Sequence, residues 1–380
     1  MSSASTPQTP RTAQGRRSGA VAHRILETVS PVAGFLGSLV VLLLIVLLVG
    51  ESPGKALDAI YRFCFGSAGR RGALFSAMIP LYLSGLAVAF ALRGGVFNIG
   101  VEGQYFMGGL TGALAGIYLS LPQPLHIIVV VLAAMAGGAL WAALPALLKI
   151  TRGIHEVITT IMLNNIAYAL ANYLVNGPLS ALTSSKSLEP QTYPIKTTAR
   201  FPKLNGVFNA LGLGVPDYVY LDLSLVVALV MGIVVWIVLF RLRCGFEVRS
   251  IGAAIEVSRY AGVRVKRIQL FTFLGSGAIA GLVGLQEIFA VRGIYTFQIA
   301  TGLGFDGIPI ALIGQNSPVG VGISALLFAF LKQAGYGLQL YTGVPNAVIY
   351  VITGLMIIII VVVNELTSRY VRALRKKEAA

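Results

Sequence analysis

Charge is scarce in this sequence. Only 11% of its 380 residues are Asp, Glu, Lys or Arg, whereas a soluble globular domain carries roughly a quarter. That shortfall excludes an ordinary water-soluble fold. Cysteine and histidine are scarcer still, at two and three residues. So few, and unclustered, they form neither a disulfide framework nor a Cys/His metal centre. Cys64 and Cys244 fall on opposite sides of a membrane in the topology below, so no disulfide is expected. Catalytic signatures are thin as well. No H-E-x-x-H occurs, and "GESPGKA" (50–56) lacks the spacer and the Ser/Thr that a phosphate-binding loop requires. The sequence therefore points to no catalytic residue and no resident metal or cofactor. Any energy from ATP has to be supplied by another chain.

Apolar residues are what the sequence has in excess. Hydrophobic residues make up 56% of the chain and the mean hydropathy is +0.81. They fall in blocks of about twenty, the length at which a helix crosses a bilayer core. The blocks lack the alternation of barrel strands, so the expected fold is all-α: a polytopic membrane helix bundle of about ten spans. The spans are placed at 31–50, 73–92, 98–119, 125–148, 156–176, 221–240, 268–290, 303–315, 318–337 and 345–364. The third and eighth are glycine-rich and are read as broken or re-entrant candidates. Residues 1–30 are polar, basic and rich in Ser, Thr and Pro, as in a disordered tail. A transmembrane domain follows over 31–364, then a basic tail over 365–380.

The net charge of +15 is read as topology signalling and not as a nucleic-acid footprint. With both termini in the cytoplasm, most of the 29 basic residues lie inside. They sit in the N-terminal tail, at Arg93, at Lys149 and Arg152, in the 241–267 loop and in the C-terminal tail. The exception is "YRFCFGSAGRR", with Arg62, Arg70 and Arg71 in the first outer segment; an interfacial helix near lipid head groups is the expectation there. Residues 177–220 form a proline-rich outer loop. The 241–267 loop carries Gly252, Ala253 and Ala254, then a helical pattern, then Ala261 and Gly262. A short helix ending at a glycine fits, and its flanking basic residues suit either a solvated loop or a docking element for a cytoplasmic partner.

"RGGVFNIGVEGQYFMGG" (93–109) places Asn98, Glu102 and Gln104 within an apolar region. A carboxylate at membrane depth is expensive and usually faces a bundle interior or a watery cavity. Counting from Asn98 as if helical puts Asn98, Glu102 and Tyr105 on one face. Two readings stand: this face lines a solute path, or Glu102 braces a broken helix. Asn164 and Asn165 serve either as interhelical glue or as solute contacts. Gln286, Glu287 and Asp306 are further path candidates, and Asp306 also suits a helix cap. Gly108, Gly112 and Gly116, and Gly277 with Gly281, recur every four residues, the pattern of close helix packing. "RGGVFNI" (93–99) and "RGIYTFQI" (292–299) form a faint internal echo, as two inverted repeats would.

Four blocks in order carry a family likeness: "GLAVAFALRGGVFNIGVEGQYFMGGL", "GFEVRSIGAAIEVSRYAGVRVKR", "GSGAIAGLVGLQE" and "GFDGIPIALIGQNSPVG". Together they resemble the permease subunits of bacterial ABC importers for ribose, branched-chain amino acids and nucleosides. The resemblance covers about residues 35 to 365 and is greatest to nucleoside (guanosine-type) permeases. It implies a multi-pass protein of the bacterial cytoplasmic membrane. It also implies a cytoplasmic cassette ATPase that uses the ATP, a second permease subunit in a heterodimer, and an external substrate-binding lipoprotein. Membrane lipid surrounds the assembly, and nucleic acid is no partner. The resemblance further implies that residues 247–267 form the ATPase-coupling loop, with Glu247, Gly252, Ala253, Ala254, Glu256, Tyr260, Ala261 and Gly262 on it. The implied solute is a nucleoside, with a simple sugar as the alternative. A proton-coupled secondary transporter or a membrane enzyme is the competing class.

Overall fold

The computed structural model describes residues 50–181, 189–296 and 301–342, together with 37, 39–48 and scattered positions from 344 to 370. Among the described residues the regular structure is helical, and the only extended pairing is two isolated bridges, Gln191 with Thr296 and Lys203 with Asp222. The chain divides into two compact units, one of residues 1–56 with 342–380 and one of Leu57–Tyr341.

The first unit contains α1, Leu39–Leu48. The tail over 1–30, most of the span expected at 345–364 and the end of the C-terminal tail lie outside the described residues. Ser52, in Gly50-Glu51-Ser52-Pro53-Gly54, has the spacing of a nucleophile elbow. That elbow needs a strand before its turn, and the element before this turn is the helix α1.

The second unit is built from long spans. The chain passes from α2 (Pro53–Phe65) into α3 (Ala68–Arg93), α4 (Val101–Tyr118), α5 (Gln123–Arg152) and α6 (Glu156–Asn176). A short α7 (Asn205–Ala210) lies in the long connection before α8 (Leu223–Arg241). Two short helices, α9 (Arg243–Ala253) and α10 (Ile255–Tyr260), precede α11 (Val265–Ala280), and α12 (Leu303–Ile313) and α13 (Pro318–Thr342) complete it. Among the described residues five helices, α3, α5, α6, α8 and α13, are long and apolar enough to cross a membrane.

Local chemistry sets the boundaries. Ser67 opens α3 by accepting a hydrogen bond from the Arg70 amide, and Asp222 opens α8 by accepting one from Ser224. Gly153, at φ 68°, closes α5 in the left-handed conformation that a helix C-terminus favours. The α10 helix stops before Gly262, at φ 82°, so the short helix in the 241–267 loop does end at a glycine.

Two spans differ from the sequence expectation. The third is a continuous helix of 18 residues. The seventh is the broken one: α11 stops at Ala280, the chain turns through Gly281–Gly284, and it resumes as a π-helix over Gln286–Arg292. The eighth is short, as expected, with 11 residues.

The glycines hold the centre together. A methyl group on Gly108 would lie 2.4 Å from Gly281 Cα, one on Gly138 would lie 2.2 Å from the Gly277 carbonyl oxygen, and one on Gly281 would lie 2.1 Å from that of Ala134. α4, α5 and α11 therefore meet at backbone contact, which only hydrogen side chains permit.

Candidate functional site

A knot of buried polar side chains lies where α4, α6, α11 and α12 converge. Asn98 precedes α4, whose first residue is Val101. Asn98 and Glu102 therefore do not share a helical face, because the helix begins between them. The Asn98 amide nitrogen donates to Gln104 Oε1 at 2.9 Å and to Ser276 Oγ at 2.9 Å. Asn98 Oδ1 accepts from the Gly100 amide and from Gln104 Nε2, both at 3.0 Å. Asn164 Oδ1 accepts from the Gly103 amide at 2.9 Å, and its Nδ2 donates to the Ile99 carbonyl at 3.0 Å. These side chains are buried and engaged with one another, as buried polar groups need to be.

Glu102 has 0% exposure. Its Oε1 accepts from the Tyr168 hydroxyl at 2.6 Å and from the Gly302 amide at 2.7 Å; its Oε2 accepts from the Gly304 amide at 2.7 Å. Glu102 stands in the first turn of α4 and binds the first amides of α12. One carboxylate thus serves two helix N-termini, each carrying partial positive charge. A methyl on Gly304 would come within 2.4 Å of the Glu102 amide nitrogen, so the glycine lets the two helix ends touch.

The echo in sequence has a counterpart in structure. Arg93 ends α3 and Arg292 ends the π-helix; Gly95 (φ 67°) and Gly293 (φ 71°) then turn the chain in the left-handed region. Gly95 lies beside Gly252 at the end of α3, whereas Gly293 lies beside Arg200 and accepts from the Ile195 amide. Residues 297–299 of the second stretch lie outside the described residues.

The remaining candidates separate. Asn165 is exposed, unlike Asn164, and bonds only weakly back to Ile161 at 3.4 Å. Gln286 Nε2 donates to Ser76 Oγ at 2.9 Å, to the Tyr220 carbonyl at 3.0 Å and to Asp222 at 3.3 Å. Burial pushes the Asp222 carboxyl up from its ordinary range, opposed by its bonds to Ser224 and Gln286. Glu287 pairs with Arg292, and Asp306 pairs with Lys332 of α13. Lys332 did not stand out in the sequence because it lies alone in an apolar span; its partner, 26 residues away, becomes its neighbour only through the α12–α13 turn. Gln286, Glu287 and Lys332 line a cavity of about 200 Å³ with Pro80, Gln333 and Tyr336.

At the C-terminal end of α3 stands the 241–267 segment. Val257 is 66% and Tyr260 is 90% exposed. Gly252, Ala253, Ala254, Glu256, Ala261 and Gly262 are also exposed, and Glu247 is half-buried. Gly252 abuts the end of α3: a methyl there would sit 2.2 Å from the Arg93 carbonyl oxygen. Arg93 in turn donates from Nε to the Asn316 carbonyl and from a terminal nitrogen to that of Gln315, both at 2.9 Å. Beside this segment opens a groove of about 850 Å³ lined by Lys149, His155, Arg259, Arg264, Lys266 and Arg267, among others.

The chain is similar to known proteins over most of its length. The guanosine ABC transporter permease protein NupP of Bacillus subtilis is 35% identical over 345 residues, covering 89% of this chain and 93% of that one. The glucose ABC transporter permease protein TsgB13 of Haloferax volcanii is 36% identical over 292 residues, covering 77% and 76%. The nucleoside ABC transporter permease protein NupB of Lactococcus lactis is 30% identical over 340 residues, covering 88% and 92%. No solved structure matches. The family model described as branched-chain amino acid transport system / permease component matches residues 71–361, and this chain belongs to that family of multi-pass membrane permeases.

Proposed function

We propose that this chain is the membrane subunit of an ATP-driven importer that carries nucleosides across the bacterial cytoplasmic membrane, with both termini inside. The observation that carries the reading is the likeness to the guanosine permease NupP over nearly the full length of both chains. The chain is a conduit and not an enzyme. ATP is bound and hydrolysed by a cassette ATPase, a second permease supplies the other half of the path, and an external lipoprotein delivers the solute.

The structure supports a division of labour among the polar residues. Asn98, Glu102, Gln104 and Asn164 brace the start of α4 against α11, α12 and α6, because their hydrogen-bonding groups are spent on one another, on Ser276 and on backbone. The solute face is the one that carries Gln286, Glu287 and Asp306. The Asp306–Lys332 pair is a third exposed on the lysine side and a fifth on the aspartate side. A charged side chain facing acyl chains at mid-membrane costs about 2.5–3.5 kcal/mol on insertion scales, so this face suits a wet passage or the second permease.

The ATPase-coupling element is the 247–267 segment. An unpaired, exposed Tyr260 and Val257 at the tip of a short helix offer the apolar knob that a groove accepts. Gly252 is a poor place to test this, since any side chain there collides with α3. Tyr260→Asp in the reconstituted four-component complex should lower uptake at least roughly tenfold with ATPase still binding ATP, as loss of a central anchor would. Normal uptake would remove the docking assignment.

Sugar transport is the second reading, favoured by the glucose permease among the relatives. Uptake into proteoliposomes of labelled guanosine and labelled glucose, each with ATP and with ATP omitted, separates the two. Guanosine uptake that needs ATP and survives collapse of the proton gradient supports the importer; uptake that follows the proton gradient overturns it.

A further inference from the structure

The cavity beside the π-helix is where the solute itself is read, and this inference rests on the importer reading. Four observations meet there. First, the seventh span breaks at Gly281–Gly284 and continues as a π-helix; such distortions occur mostly as short insertions and frequently mark functional sites. Second, the facing helix α3 carries Pro80 on the cavity wall, a helix-interior residue with no backbone N–H to donate to the preceding turn. Third, Lys332 and Asp306 form an ion pair inside the membrane-spanning region, a third exposed at the lysine and a fifth at the aspartate. Fourth, the wall of an otherwise apolar cavity gathers groups with unspent hydrogen-bonding capacity. Among the described residues Lys332 donates once, to Asp306, leaving two ammonium protons, and Gln333 and Tyr336 make no side-chain hydrogen bond. Tyr336 is 59% exposed.

We infer that this cavity binds the base of a nucleoside, with Tyr336 stacking on the ring and Lys332, oriented by Asp306, donating to its acceptor edge. Any nucleobase offers a π-face to an aromatic side chain. A lysine suits the adjacent O6 and N7 acceptors of guanine. Gln333, on α13, and Glu287, on the π-helix, also line the cavity and offer acceptors for the amino and imino protons of such a base. A sugar offers hydroxyls but no face, so Tyr336 gives the site a preference that hydrogen bonding alone would not. Asp306 is a positioning residue here: it holds the ammonium at the cavity rim and keeps its charge compensated.

The test is ATP-driven uptake by the complete complex in proteoliposomes, with labelled guanosine and labelled glucose as probes. Three variants of this chain are compared: Tyr336→Leu, Tyr336→Phe, and the doubly neutralised Asp306→Asn/Lys332→Gln, which removes both charges together so that neither is left unpaired in the membrane. Tyr336→Leu should raise the guanosine KM about tenfold, in the range that loss of one stacked base predicts, with ATP hydrolysis retained. Tyr336→Phe should restore it, because the ring remains. The double variant should also raise KM for guanosine while its membrane level stays that of wild type. Equal KM in wild type and Tyr336→Leu would overturn the inference and leave the importer reading intact. So would a double variant that no longer co-purifies with the second permease, since the pair would then be an interface. A wild-type complex that takes up glucose and no guanosine would instead overturn the nucleoside reading itself.

Discussion

At the scale of single residues, Glu102 decides most. Its three acceptor bonds go to one hydroxyl and two backbone amides, and both amides open α12. Hydrogen bonds to a charged group are worth roughly 1.5–3 kcal/mol each, and an orphaned buried donor costs about 1–3 kcal/mol. Glu102→Ala should therefore destabilise the purified protein strongly, seen as a drop in Tm in detergent and as loss of the folded fraction in the membrane. Glu102→Gln should be milder, since one oxygen remains to accept. Asn165→Ala should leave Tm unchanged, because that side chain is exposed and only weakly bonded. Equal loss in Asn165→Ala and Glu102→Ala would contradict the brace. The sequence made the cost of Glu102 legible, since a carboxylate in an apolar run has to be compensated. It did not make the compensation legible. The partners, Tyr168, Gly302 and Gly304, are distant in sequence, and the helical count from Asn98 failed because the turn at 99–100 intervenes.

At the scale of elements, glycine spacing was the readable signal and it found the right helices. Gly108, Gly277 and Gly281 are all at the α4–α5–α11 junction. The recurrence of small residues every four positions reports a contact surface directly, because that spacing is one face of a helix. The break in the seventh span was less readable. Its hydropathy continues without interruption through Gly281–Gly284, and the break follows from packing against α4 and α5 that no local pattern records. Substitutions at these glycines should differ by position. Gly281→Ala drives a methyl to 2.1 Å from the Ala134 carbonyl oxygen, where the neighbour is backbone and cannot swing aside; Gly112→Ala meets the Ala134 side chain at 3.2 Å. Overpacking of a tight core costs about 1–3 kcal/mol, so Gly281→Ala should lower Tm by several degrees and Gly112→Ala by little. A larger loss in Gly112→Ala would mean that α5 and the end of α11 are not in contact as described.

At the scale of the whole second unit, α3 links the two places where function is proposed. Its last residue, Arg93, is bonded to the carbonyls of Gln315 and Asn316, and its carbonyl abuts Gly252 of the docking segment. Gln315 and Asn316 take positive φ, 52° and 53°, in the tight turn between α12 and α13. Non-glycine residues hold that conformation at a cost, and Arg93 is what stands against it. From Arg93 the helix runs to Pro80 at the cavity wall, about 20 Å at the helical rise. A push on α9 and α10 therefore reaches the cavity by two routes: through α3 itself, and through the turn that carries Lys332's helix. Those routes follow from contacts between segments more than a hundred residues apart, so the sequence could suggest a docking loop but not what it pushes on. Arg93→Ala breaks the second route and leaves the first. Its complex should bind guanosine at the wild-type KM, hydrolyse ATP, and take up guanosine at least several-fold more slowly per ATP consumed. If transport per ATP is unchanged, the turn at 315–316 carries no motion, and α3 alone has to transmit the stroke from docking segment to solute.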